Sequence, residues 1–432
     1  MNRTVKTFSI TLTQELKEQL LHWAQQFHEV VWLDSNEYAG HNHTYEAILA
    51  VDAATAVKTD SEGAFRKLDE YQRSTNDWIF GYLSYDLKND VERLTSENFD
   101  GLLFPELYFF QPKRLFLFTE TDVELHYLSS TAEDMATDWK NINSLIIPPT
   151  EALHIKLRAR TSRASYLEKA TAMLQHIERG DIYEANLCQE FYADNSDLDP
   201  LNAFFHLNSI SSPPFATFLK LEGFYALSAS PERYLSKIGS KVVSQPIKGT
   251  ARRHQDPKAD SAALAALERD PKERSENIMI TDLVRNDLSR IAEKGSVRVD
   301  ELCKGYTFKQ VHQLISTISC NTRPDISAVE VLAQTFPMGS MTGAPKISAM
   351  KIIEKLEDAK RGLYSGAIGY ITPTGDFDFN VVIRSILFNA DKKYVSFSVG
   401  GAITAKSLPI AEYEECLVKA AALRKVLENK AS

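Results

Sequence analysis

Long hydrophobic runs, paired cysteines, basic clusters and phosphate-binding glycine motifs are all missing from this sequence. No apolar stretch approaches the roughly 20 residues of a membrane-spanning helix, so a spanning protein is not expected. The N-terminal MNRTVKTFSITLTQELKEQL lacks the apolar core of a secretory signal, which points to a cytoplasmic protein. Only four cysteines occur, Cys188, Cys303, Cys320 and Cys416, and none forms a C-x-x-C pair. That argues against a disulfide framework or a zinc site. Lys and Arg never accumulate and the net charge is −9, so a nucleic-acid groove or an anionic membrane is a poor match. An acidic chain that takes an anionic substrate must place its cations, or a metal ion, locally. Neither G-x-G-x-x-G nor a phosphate loop is found, and no repeat or low-complexity tract interrupts the chain.

What is present is enough apolar sequence for a large core: 44% of 432 residues. Residues 13–27 show helical periodicity behind a Thr cap, and VVWLDSN and YEAILAVDAA read as strands. Paired prolines near Ile147-Pro148-Pro149-Thr150 suggest a connector, dividing the chain into residues 1–150 and 151–432 as parts of one intertwined fold. A helix from Ser162 stops at Gly180. FATFLKL and FYALSAS form a hairpin about Glu222-Gly223. Residues 258–292 read as two helices broken near Pro271, followed by helices at 326–335 and 345–357. LYSGAIGYIT, FDFNVVIRSILF and YVSFSVGG then read as three strands, and a last helix runs from Pro409 to about Asn429. Hairpins mixed with long helices indicate α+β layering rather than a βαβ array.

Two segments carry matched acidic pairs. PKERSENIMITDLVRND places Glu273 and Glu276 three apart on a helix, and AEYEECLVKAA does the same with Glu412 and Glu415. Residues i and i+3 share a helix face, so each pair projects two carboxylates one way. Converging faces would make an oxygen-lined site for a hard cation such as Mg²⁺. Lys419, four residues after Glu415, lies one turn along. Taken alone, each Glu-x-x-Glu reads as an ordinary solvated face, and spacing does not show that two such distant helices meet.

Further motifs accompany these pairs: GDIYEANL (180–187), SASPERYLS (228–236), QPIKGT (245–250), ERSENIMITDLVRNDL (273–288), GSMTGAPK (339–346), SGAIGY (365–370), VVIRS (381–385) and AEYEE (411–415), with WLDSN (32–36) and GYLSYDL (81–87) upstream. Together they resemble the chorismate-utilising enzymes, a family that includes anthranilate, aminodeoxychorismate, isochorismate and salicylate synthases. The resemblance covers nearly the whole chain and implies two facing, mainly antiparallel β-sheets sandwiched by helical layers, with the active site in a cleft. Residues 151–432 would be the chorismate-binding part. The resemblance also implies Mg²⁺ held directly by Glu276 and Glu415, with Glu273 and Glu412 acting through water. The ion would clamp the ring carboxylate of chorismate. The enolpyruvyl carboxylate would meet Tyr370, Arg384, Lys419 and backbone N–H groups at Gly400 and Gly401. Arg suits that task because its fork binds a carboxylate twice. Gly249, Thr250 and Ser340 resemble further substrate-contacting positions. An amino-acid effector pocket, present in some relatives, would map to Ser35, Thr44, Tyr45, Glu46, Ala47, Pro214, Phe215 and Ala216.

Within the family, the third residue of P-I-x-G-T separates members, and here it is Lys248. Alanine there resembles the anthranilate synthases; lysine resembles the aminodeoxychorismate synthases. A neutral lysine amine can attack C2 as the C4 hydroxyl leaves, and ammonia can then displace it at C4, splitting one hard step into two. Glu232, in SPERY, resembles the family's general acid and would protonate the departing hydroxyl. A salt bridge from Glu232 to Arg233 is the plainer alternative.

Two departures stand out. The slot before L-I-S-T, where many relatives carry a histidine linked to pyruvate elimination, holds Gln313; His312 is one residue earlier, and on a strand adjacent side chains face opposite ways. That favours release of 4-amino-4-deoxychorismate without lysis. Ala402 stands where relatives often have a third glycine. No Cys/His/Glu constellation of a glutaminase appears, so ammonia is expected from a separate glutamine amidotransferase subunit or from solution. Anthranilate synthase component I or isochorismate synthase is the nearer alternative, and a non-catalytic scaffold that activates a glutaminase is the other.

Overall fold

A computed structural model describes residues 3–38, 44–149, 152–309 and 311–429. The division expected at 150/151 falls outside the described residues, but the β-ladders cross it freely. Strand Glu29–Asp34 pairs with Phe215–Leu221, and Ile79–Leu83 pairs with Ala367–Ile371, both antiparallel.

The architecture is α+β, and its two antiparallel sheets are continuous with each other. The first runs through Asp122–Leu128, Leu107–Phe118, Ala47–Thr59, Glu29–Asp34, Phe215–Leu221, Phe224–Ser230, Ser385–Asn389, Tyr394–Thr404 and Glu184–Ala193. The second leaves the same long strand Leu107–Phe118 through Ile79–Leu83, Ala367–Ile371, Phe377–Asn380, Arg233–Ile238, Lys241–Gln245 and Val311–Asn321. Residues 107–110 of that strand pair into the second sheet and residues 114–118 into the first. Between them lies Pro112, which cannot donate to a ladder, and the partner strand shifts register between Ala53 and Thr55. A two-stranded ribbon therefore turns from one sheet into the other.

Both faces of the first sheet are covered, which explains its near-continuous apolar runs. In VVW, Val30 and Trp32 point into the core shared with the helices Gln14–Ala24, Arg163–Glu178, Pro200–Ser211 and Pro409–Glu428, while Val31 points into the core between the sheets. Thr13 caps the first of these helices, its Oγ1 accepting from Leu16 N at 3.2 Å, an interaction worth about 1 kcal/mol. Phe80, fully buried among Trp78, Phe110 and Tyr370, anchors the second core; Phe80→Ala would cost about 3–5 kcal/mol.

One expected strand is broken. FDFNVVIRSILF forms Phe377–Asn380 and Ser385–Asn389, with Val381–Arg384 between them. Arg384 has φ +53°, a left-handed conformation that non-glycine residues rarely adopt outside functional or turn positions. Among the described residues no helix is long and apolar enough to cross a membrane.

Candidate active site

A cleft opens where the two sheets diverge. Its walls include Glu232, Lys248, Gly249, Thr250, Ser340, Arg384, Gly400, Gly401 and Lys419, nine residues singled out from the sequence and contributed by six separate segments. Strand geometry accounts for the convergence. Lys248 and Gly249 lie where the ladder between Ile247–Arg252 and Val311–Asn321 slips register, and Gly249 adopts φ +94°. A Cβ on Gly400 would sit 2.5 Å from Cys188 Sγ and 2.7 Å from Leu187 O, so only glycine lets these strands approach.

Glu232 sits just before strand Arg233–Ile238, its N–H donating to Ser230 Oγ at 3.2 Å. It is buried, and burial pushes its carboxyl up to about 7 even though a hydrogen bond with Ser340 and the charge of Lys248 pull the other way. The alternative partner, Arg233, is engaged elsewhere. Arg233 turns to the opposite face, where Nε and Nη2 hold Asp378 at 2.9 and 3.0 Å. A carboxyl titrating near neutrality and facing a lysine suits general acid chemistry.

Arg384 is half-buried in the cleft wall, and burial holds its guanidinium below its ordinary range. A buried cation of this kind favours an incoming carboxylate. Lys419 donates to Gly400 O at 2.9 Å and pairs with Glu415 Oε1 at 2.6 Å.

Tyr370 is a correction. It lies on the central strand Ala367–Ile371, packed against Trp78 and Phe80, and faces a different cavity. Tyr364, six residues earlier in the turn before that strand, lines the cleft instead, with its hydroxyl 3.8 Å from Cys188 Sγ. The motif GLYSGAIGY offered two tyrosines, and the late start of the strand decides between them. Asn186, Cys188, Met341 and Ile383 also line the cleft and were not picked out from sequence. Asn186 and Cys188 alternate on strand Glu184–Ala193, a spacing that marks one face of GDIYEANLC.

Gln313 reaches the cleft, whereas His312 points away, buried against Thr307 Oγ1 at 2.9 Å and Asp260 Oδ1 at 3.0 Å. Ala402, opposite Asn186 on the neighbouring strand, is not part of the cleft lining.

The four glutamates gather at the glycine side of the cleft. A Cβ on Gly249 would lie 3.1 Å from Glu273 Oε2, and one on Gly401 would lie 3.3 Å from Glu412 Oε2. Lys272 feels all four carboxylates, and its Nζ is 3.8 Å from Glu276 Oε1. Both pairs occupy the first two turns of their helices, Pro271–Ser289 and Pro409–Glu428, where the positive helix end favours anions. Asp270 caps the former, accepting from Lys272 N and Glu273 N at 2.8 and 3.0 Å. Burial and Glu276 push Glu273 up; burial and Glu415 push Glu412 up, against a hydrogen bond with Ser407. Burial also opposes charge on Glu415, but Lys419, Lys272 and Lys248 together hold it below the carboxylate range. Among the described residues no three Asp, Glu, His or Cys side chains already form an ion cage. The donor set nonetheless fits Mg²⁺, which uses one or two carboxylates and completes its shell with waters and substrate oxygens.

The eight residues expected of an effector pocket all line a second cavity, together with Tyr370, Asp378 and Asn380.

The family model of chorismate binding enzymes matches residues 12–425, and the chain belongs to that family. It is 44% identical over 271 residues to an aminodeoxychorismate synthase of Streptomyces griseus, covering 62% of this chain and 37% of that one. It is 40% identical over 272 residues to aminodeoxychorismate synthase component 1 of Escherichia coli K12, covering 63% and 59%. The matched region thus spans between about a third and three fifths of these relatives' own length. In fold it is similar to anthranilate synthase component I of Streptococcus pneumoniae, with a TM-score of 0.76 at 24% identity over 90% of this chain and 94% of that one.

Proposed function

We propose that this chain converts chorismate and ammonia to 4-amino-4-deoxychorismate, acting as the synthase component of an aminodeoxychorismate synthase on the route to p-aminobenzoate. The observation that carries this reading is the placement of Lys248 and Glu232 in one cleft, with Gln313 in the slot tied to pyruvate elimination. Alanine at position 248 and histidine at 313 would have favoured anthranilate synthesis.

In this reading Arg384, Tyr364 and Lys419 receive the enolpyruvyl carboxylate. Glu276 and Glu415, with Glu273 and Glu412 behind them through water, would hold Mg²⁺. When bound, the ion supplies positive charge for the ring carboxylate of chorismate. Lys248 attacks C2, the two ring double bonds shift, and the C4 hydroxyl leaves as water with the proton of Glu232. Ammonia then bonds to C4, the double bonds return, and Lys248 is expelled. A separate glutamine amidotransferase supplies the ammonia; the E. coli relative's designation as component 1 supports a partner of some kind.

The test is the product formed from chorismate, Mg²⁺ and an ammonium salt, identified by mass spectrometry and chromatography. 4-Amino-4-deoxychorismate is expected. Anthranilate with stoichiometric pyruvate, or isochorismate, would replace this reading with one of its relatives.

A further inference from the structure

Glu184 is buried to 1% exposure, and neither of its carboxylate oxygens has a hydrogen-bond partner among the described residues. The other buried carboxyl of the same strand is paired. Glu190, six residues on, is held by Arg160 and by Tyr394 Oη at 3.0 Å. Buried carboxyls are normally paired, and one left open within the field of a cleft lysine is poised to take a proton.

Strand alternation sets where Glu184 faces. Residues 184, 186 and 188 share one side of Glu184–Ala193; Asn186 and Cys188 line the cleft, and Glu184, at the end of that row, is buried outside the lining itself. Its neighbours across the ladders, Thr404 and Ala344, are uncharged. The charged groups it feels are Lys248 first, from strand Ile247–Arg252, and then Glu276, from helix Pro271–Ser289.

We infer that Glu184 is the proton partner of Lys248, the group that takes a proton from the lysine nitrogen as it bonds to substrate and returns it as the lysine leaves. This rests on the function proposed above. The proton account closes. After Lys248 Nζ bonds to C2, it is a secondary ammonium and passes one proton to the Glu184 carboxylate. When ammonia bonds to C4 and the C2–N bond breaks, its electron pair returns to Nζ, and Glu184 gives the proton back, restoring the free amine. The new C4 ammonium sheds one proton to Glu232, which had surrendered its own to the departing water. Burial raises the Glu184 carboxyl, against the pull of Lys248, which makes it a stronger proton acceptor than an exposed glutamate.

The experiment compares wild type with Glu184→Gln, Glu184→Asp and Glu184→Ala, using chorismate and Mg²⁺ with and without ammonium. Four quantities are read: the rate of mass-adduct formation on the Lys248 peptide, kcat for 4-amino product, the chorismate KM, and Tm. Glu184→Gln should slow adduct formation and kcat at least tenfold while KM stays within twofold and Tm does not fall. Glu184→Asp should recover part of the rate, and added formate should partly rescue Glu184→Ala. Wild-type adduct formation and kcat in Glu184→Gln overturn the inference, as does a loss that appears wholly in KM or Tm. A Lys248→Ala variant, with Glu184 intact, whose 4-amino synthesis is undiminished overturns the covalent reading itself, a result read independently of any Glu184 variant.

Discussion

Thr250 and Gln313 lie directly opposite one another in the ladder between strands Ile247–Arg252 and Val311–Asn321, and both reach the cleft. The neighbouring pair, Ala251 and His312, is turned to the other face, with His312 sealed against Asp260 and Thr307. No imidazole at this ladder position is therefore placed to act on the substrate. Pyruvate, followed by a coupled lactate dehydrogenase assay, should stay at background through complete conversion of chorismate. Stoichiometric pyruvate would contradict the assignment.

Lys248→Ala should fold normally and still bind chorismate, because Arg384, Tyr364 and Lys419 stand on other segments. It should lose most 4-amino synthesis at modest ammonia, since the two-step displacement is gone. High ammonia can restore some turnover, with attack at C2 giving a 2-amino isomer that chromatography resolves. Undiminished 4-amino synthesis would end the covalent mechanism.

Glu276→Ala and Glu415→Ala should abolish turnover, whereas Glu273→Ala and Glu412→Ala should weaken Mg²⁺ by about 10- to 100-fold. Magnesium titrations of activity measure this directly. Activity in all four variants without added Mg²⁺ would make the cluster ordinary surface charge.

Glu232, raised to about 7, must carry its proton to act as an acid. Log kcat/KM for chorismate, measured at a constant concentration of free ammonia, should fall with unit slope above about pH 7. The same burial has a stability consequence. The folded carboxyl holds its proton more tightly than the unfolded one, whose ordinary value is 4.5. The resulting stabilisation is full below that value and is lost as pH rises through about 7. Glu232→Gln should flatten that part of the Tm–pH curve.

Tyr364→Phe should raise the chorismate KM about tenfold, the cost of one hydrogen bond to a charged group of about 1.4 kcal/mol. Tyr370→Phe, which alters a different cavity, should leave KM within twofold. The reverse pattern would return the substrate contact to Tyr370.

Helix periodicity made each glutamate pair legible, but only as two carboxylates on one face, because the approach of Pro271–Ser289 to Pro409–Glu428 depends on contacts far apart in sequence. The strand alternation separating Gln313 from His312 needed no tertiary information and holds in the structure. What local pattern missed has a common cause. Tyr364, the break in FDFNVVIRSILF and the left-handed Arg384 all lie where a strand begins or ends, and strand ends are set by neighbouring strands rather than by the residues themselves. The continuity of the two sheets was hidden for the same reason. It depends on Pro112 and a register shift in the strand opposite it, which local sequence pattern does not encode.

The ribbon that joins the sheets also imposes a schedule on biosynthesis. Ile79 waits for Ile371, a partner 292 positions later in the chain. Until that segment emerges, strand Ile79–Leu83, buried throughout in the finished protein, offers one bare apolar edge, its other edge being paired early with Leu107–Phe118. Sheet edges of that kind recruit other chains. Nascent chains stalled before residue 367 should consequently bind chaperones and aggregate, and protease resistance should arrive late and all at once, after the central strand has closed the seam.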